Sequence, residues 1–343
     1  MSAAQRNIRL LGWFNFCNDF RVYGPVMVVY FAQVTGSYAD AVLILAIAKI
    51  ASSLFELPTG VFSDYVGRRT TMLSGQIANI LCSLSSMFQA ALATSALASA
   101  IALVWLPFRA LFWLSLVPQA IGLIICFLTA EPSRHGREAG TNLLAHLRES
   151  LIPFRHDEKL RDVSIASMLG FALGEAKHMF FPAYFATLWS SWGLGIASML
   201  THAFAMLGFR AAGRIVHRWR ELPVLLWTNG LSILLGVAST AIPTVASPAI
   251  SSLASFPFGP GSVARDSLMQ QAFTDRQRAT MGSLISLGGN LLYAVVVFAL
   301  GWCADRIGPR YVLLAAEIVT VSVAFLYWRL FGREALTGTP RHQ

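Results

Sequence analysis

Nine ionisable side chains stand inside otherwise apolar stretches of this 343-residue chain: Asp19, Arg21, Lys49, Glu56, Glu175, Lys177, His178, His202 and Glu317. A charge surrounded by hydrocarbon is costly, so a group of this kind faces a water-filled cavity, a partner or a substrate path. Asp19, Arg21, Lys49, Glu175 and Lys177 are the candidate cavity and coupling residues, and a carboxylate among them is a natural carrier of a proton. Glu175 and His178 are three apart and share a helical face, whereas Lys177 points elsewhere. Lys49 and Glu56 are seven apart on one face, and Glu56 in the run ELPTG is read as a brace rather than a cavity group. A second constellation follows at residues 60–69, GVFSDYVGRR, placed between two long apolar stretches. Gly60 and Gly67 permit close approach or a left-handed turn, and Asp64 is an acceptor for Arg68, Arg69 or a helix N-terminus.

The elements that position these residues are membrane helices. Hydrophobic residues make up 55% of the chain, charged residues only 13%, and the mean hydropathy is +0.59. A helix needs about 20 mostly apolar residues to span a hydrocarbon core of about 30 Å. Spans are expected at 10–33, 39–62, 71–104, 107–130, 163–188, 193–213, 222–243, 246–265, 280–302 and 310–331. A 24-residue span directly follows Arg6 and Arg9 with no small-residue cleavage site, which argues against a removable signal peptide.

The net charge of +9 reports orientation rather than nucleic-acid binding. With the N-terminus in the cytoplasm, all but six of the 26 basic residues lie at the inner face. Arg109, Arg306 and Arg310 fall outside, and Arg21, Lys49 and Lys177 lie within spans. This is the positive-inside distribution, and it expects both termini in the cytoplasm of a cell whose inner membrane holds the protein. Cys17, Cys82, Cys126 and Cys303 have no metal-ligand spacing and are expected as free, packing thiols; no metal site and no cofactor is expected. The chain shows no phosphate-binding Gly-x-x-x-x-Gly-Lys loop, zinc-helix or serine-elbow motif. Nucleotide-driven pumping and common hydrolase chemistry thereby lose support, and an ion gradient is the expected energy source.

The run ELPTGVFSDYVGRR, residues 56–69, resembles the signature loop of the major facilitator superfamily of secondary transporters. The resemblance implies an all-α, two-bundle membrane fold with a substrate cavity between two related halves and alternating access to it. It makes Gly60, Asp64, Gly67, Arg68 and Arg69 the conformational gate loop. GWCADRIGPR, residues 301–310, echoes the same spacing through Gly301, Asp305 and Gly308, but on the outer side of this topology. The inner counterpart in the second half reads GRIVHRWRE, which keeps Gly213 and places His217 where the Asp would stand.

The first half departs from the family. Only about 60 residues, 71–130, lie where four spans are needed, so the segment 71–104 is read as the third span fused to the fifth. The expected organisation is a shortened N-terminal bundle at 1–130, a cytoplasmic connector at 131–162 and a six-helix bundle at 163–343, ten spans in all. Pro257, Gly259, Pro260 and Gly261 are expected to break the span at 246–265. The implied function is small-molecule secondary transport, as proton-coupled export, with the lipid bilayer and a small solute as partners. Its rival is a non-transporting remnant or regulatory membrane protein that has lost part of its cavity wall. A membrane enzyme finds no nucleophile or metal constellation to support it.

Overall fold

The computed structural model describes residues 13, 16, 20–64, 94–128, 158–272 and 278–337, with only the backbone described at 52–64, 119, 122–128, 159, 272, 278–280, 283 and 333–337. Its elements are a 3-10 turn Gly24–Val26, α1 (Met27–Thr35), α2 (Tyr38–Asp64), α3 (94–102), α4 (Phe108–Leu128), α5 (Glu158–Phe185), α6 (Ser191–Trp219), α7 (Glu221–Ala241), α8 (Ser247–Leu253), α9 (Phe258–Ala272), α10 (Arg278–Ile307) and α11 (Pro309–Thr337). No strand occurs among the described residues.

These helices are apolar nearly all round, which is the mark of a chain dissolved in lipid. On α11 the inner stripe is Val312, Leu313, Ala316, Thr320, Val323, Tyr327 and Leu330, spaced three and four apart. The opposite face is no more polar: Ile318, Val319, Val321, Phe325 and Trp328 are all at least half exposed. In water such a surface would aggregate, whereas hydrocarbon accepts it. Among the described residues, Ser191–Trp219, Glu221–Ala241, Leu284–Ile307 and Pro309–Gly332 are each long and apolar enough to cross a bilayer. The protein is an all-α, polytopic membrane protein.

Seven of the expected spans each correspond to one helix, α2, α4, α5, α6, α7, α10 and α11. The span at 246–265 is divided as expected, with a turn at 254–257 between α8 and α9. Gly259 belongs to close packing there: an added Cβ would strike the backbone of Gly208 and Phe209 on α6. The expected continuous span at 10–33 is corrected. The chain leaves the helical path at Arg21–Tyr23 because Pro25 has no N–H and its ring would collide with the Arg21 carbonyl one turn earlier. The Gly24 N–H takes that carbonyl instead, at 3.0 Å. The helix of α5 also starts at Glu158, inside the range expected for the connector. Of the fused segment 71–104 only 94–104 are described, and the connector residues 131–157 lie outside the described residues.

Among the described residues two larger apolar cores hold the bundle, beside a small one of Leu160, Met281 and Ile285. One joins residues from both parts of the chain, among them Val22, Val26, Val42 and Leu111 with Phe180, Tyr184, Tyr293 and Leu313. The other is internal to the second part, built from Val163, Leu173, Leu222, Leu225, Leu268, Val323 and Tyr327. α2 packs along α10, α5 against α10 and α11, and α6 against α9.

Candidate functional site

The break before α1 is held open by specific contacts. Val22, deprived of a helical acceptor, donates its N–H to Ser115 Oγ on α4 at 3.0 Å, and Ser115 Oγ donates in turn to the Leu111 carbonyl at 2.9 Å. Tyr23 stacks flat on Phe112, with centroids 4.7 Å apart and planes 6° apart. α4 therefore fixes the two residues that follow Arg21. The left-handed Gly36, φ 75°, ends α1 by returning its N–H to the Ala32 carbonyl.

A cavity of about 200 Å³ opens beside this break. One wall comes from the early chain: Arg21, Tyr23, Gly24, Pro25, Met27, Val28 and Ser95. The other comes from α5 and α6: His178, Met179, Phe181, Pro182 and Phe185 with Leu194, Ser198, Thr201 and His202. The two imidazoles face each other edge-on, 6.1 Å between centroids. Thr201 is oriented from outside the cavity, since its Oγ1 bonds the Ala197 carbonyl at 2.9 Å and lies 3.1 Å from Ser252 Oγ on α8. The polar inventory is one guanidinium, two imidazoles, a phenol and three hydroxyls. No Asp or Glu occurs among the described lining residues.

Of the residues singled out in the sequence, Arg21 lines this cavity. Glu175 sits one turn before His178 on α5 and is half-buried, but it is not part of the lining. Lys177 turns the other way into the second-part bundle, where its Nζ lies 2.9 Å from Glu317 Oε2 on α11. The space for that carboxylate comes from Gly236 on α7, where any Cβ would strike Glu317. Lys49 lies 5.8 Å from the Phe171 ring centroid, away from the lining. Gly60, Asp64 and Glu56 lie in α2, which runs helically through Asp64, so Gly60 is a helical residue and not a turn residue. Asp19, Gly67, Arg68 and Arg69 lie outside the described residues. The sequence had marked His178 and His202 only as ionisable groups within spans. Their convergence, and the hydroxyls Ser198 and Thr201, became visible only once α5 and α6 were packed together. Among the described residues no cluster of His, Cys, Asp or Glu has the makings of a metal site.

No family model matches the sequence, and no curated protein matches it. Among solved structures, the chain is similar to the human organic anion transporter MFSD10 (TETRAN), at 17% identity and a TM-score of 0.62, over 95% of this chain and all of that one. A bacterial homologue of the human lysosomal transporter Spinster matches at 12% identity and 0.62, over 96% and 97% of the two chains. A bacterial homologue of the iron transporter ferroportin, in its inward-facing state, matches at 13% and 0.61, over 95% and 99%. These similarities establish the fold over nearly the whole chain.

Proposed function

We propose, from a chain that has the fold of the major facilitator transporters, that it is a secondary active transporter working by alternating access, and that its substrate is a small organic anion. The observation that carries this reading is the cavity shared by the early chain and by α5 and α6, with Arg21 on one wall and two imidazoles on the other. A guanidinium offers a forked set of donors suited to a carboxylate, sulfonate or phosphate. The N-terminal end of a helix beginning at Gly24 adds partial positive charge in the same place, as half-helices do in other transporters. Tyr23, Phe181 and Phe185 supply the apolar body of the site. The organic anion transporter among the structural neighbours agrees with this class.

The proton remains the proposed coupling ion, with Glu175, one turn before His178 on α5, and Asp19, two residues before Arg21 in the sequence, as its candidate carriers. Export was the direction expected from the sequence; for an anionic substrate we propose proton-coupled uptake instead, on energetic grounds. Moving one negative charge against 100 mV costs about 2.3 kcal/mol, and a proton travelling with the anion cancels that work. Cotransport also suits the site, because a proton on a neighbouring carboxylate strengthens the pull of Arg21 on an anion. The positive-inside distribution supports an inner membrane with both termini in the cytoplasm.

Thermal unfolding in mild detergent tests the substrate class with three matched solutes: benzenesulfonate, its neutral amide and benzyltrimethylammonium. A solute at 100 times its Kd stabilises the folded state by about 2.7 kcal/mol. Benzenesulfonate should raise the midpoint by several degrees, the amide should not, and Arg21→Gln should abolish the rise. A rise with the cation alone, or with none of the three, rejects the anionic class.

A further inference from the structure

The echo of the signature loop at residues 301–310 plays no part in the cavity, yet its charged residues Asp305, Arg306 and Arg310 are all engaged. Asp305, near the C-terminal end of α10, reaches across to the beginning of α2. Its Oδ1 accepts the Tyr38 N–H at 2.6 Å, and its Oδ2 accepts the Ser37 hydroxyl at 2.7 Å and the Ala39 N–H at 3.2 Å. Ser37 Oγ also accepts the Asp40 N–H at 3.2 Å, so Ser37 and Asp305 together satisfy the first donors of α2. A carboxylate is disfavoured at the negative end of its own helix and favoured at the positive end of another. Asp305 is therefore held by the first part of the chain and not by its own helix.

The surrounding residues make this contact possible. Gly301, one turn earlier, lets the helices touch: a Cβ there would lie 2.8 Å from Ala39 Cα and 2.9 Å from Val42 Cγ2. Gly308, φ 85°, turns the chain out of α10. Arg306 folds back, donating to the Trp302 carbonyl at 3.0 Å with its guanidinium carbon 3.4 Å from that ring's centroid. Arg310 anchors the loop to the second part, donating to the carbonyls of Thr240 and Ala241 at 2.8 Å each. The motif thus has one arm fixed to its own bundle through Arg310 and one arm extended to the other through Asp305.

We propose that Asp305 is the latch of the outer mouth: a carboxylate on α10 that clasps the N-terminus of α2 in the state closed on that side and must release it for the mouth to open. The latch rests on the alternating-access reading above. It gives the repeated motif one purpose at both faces, with Asp64 on the inner side and Asp305 on the outer. Ser37 is its positioning residue, because its hydroxyl bonds both the carboxylate and the turn that starts α2.

Spin labels on the turns 103–106 and 242–246 report this mouth. Trp105 and Val245 are 84% and 75% exposed, and they lie in the early and late parts of the chain. Distances between labels at Trp105→Cys and Val245→Cys are measured in lipid nanodiscs, with Cys17, Cys82, Cys126 and Cys303 replaced by Ala, with and without benzenesulfonate. A lost cap and a lost carboxylate at a helix N-terminus together change a two-state ratio by about five- to tenfold. Asp305→Asn should shift the closed-to-open ratio toward the longer distance by that factor, and Ser37→Ala by about threefold. If Asp305→Asn does not fold, the Ser37→Ala ratio decides. Two populations in the parent protein whose ratio neither variant changes would overturn the latch alone. A single separation in every variant, unmoved by solute, would overturn alternating access and the latch with it.

Discussion

Lys177→Met is the substitution whose consequence can be worked furthest. The Lys177 side chain is 10% exposed and its partner Glu317 is 2% exposed, with 2.9 Å between Nζ and Oε2. Removing the ammonium leaves a buried carboxylate enclosed by α5, α7 and α11, with Gly236 against it. Breaking a buried pair from one side costs about 3–5 kcal/mol, whereas replacing both members by apolar residues of similar volume is neutral or stabilising. At roughly 2–3 °C per kcal/mol for a chain of this size, Lys177→Met should lower the unfolding midpoint in detergent by about 6–15 °C. Glu317→Met should do the same, and the double variant should recover most of the loss. The pair also sets the rotation of α5, since His178 follows Lys177 by one residue and faces the cavity about 100° around the helix. Benzenesulfonate binding, read as a midpoint rise, should therefore weaken in Lys177→Met and return in the double variant. Single losses below about 1 kcal/mol, or losses that add in the double variant, would refute the assignment of Lys177 to bracing.

Asp64→Asn should abolish transport while leaving the unfolding midpoint and helical content unchanged, as measured by flux and circular dichroism on the same preparation; normal flux would remove the gate role from this loop. Gly208→Ala should destabilise the protein by about 1–3 kcal/mol, because its Cβ would strike the Phe256 carbonyl where α6 crosses the turn before α9. An unchanged midpoint in detergent would mean that the two backbones are not in contact there.

Much of the fold was legible because hydrocarbon imposes a simple requirement, long apolar helices with charges at their ends. The break within 246–265 was legible from Pro257 and the glycines that follow it. The break at Arg21–Tyr23 carried the same kind of signal in Gly24–Pro25, but the run of apolar residues on either side masked it. Arg21 was a cavity candidate in the sequence because a guanidinium in an apolar span needs a cavity or a partner, and the packing of α5 and α6 places it on the lining. Lys177 was not separable from it by sequence, since its fate depends on Glu317 arriving 140 residues later through Gly236. The role of Asp305 was hidden for a similar reason. Its spacing was plain, but its partners are backbone N–H groups of α2, which no side-chain pattern announces.

The central claim, that the cavity carries an anion across the membrane, is tested most directly by uptake of radiolabelled benzenesulfonate into proteoliposomes with the membrane potential clamped. Its sulfonate stays ionised and does not cross lipid by itself. Accumulation that requires an inward proton gradient, and that disappears with Arg21→Gln and Asp64→Asn, is the predicted result. Uptake no greater than in protein-free vesicles, or uptake indifferent to Arg21, would contradict it and favour a membrane protein that has lost its transport cavity.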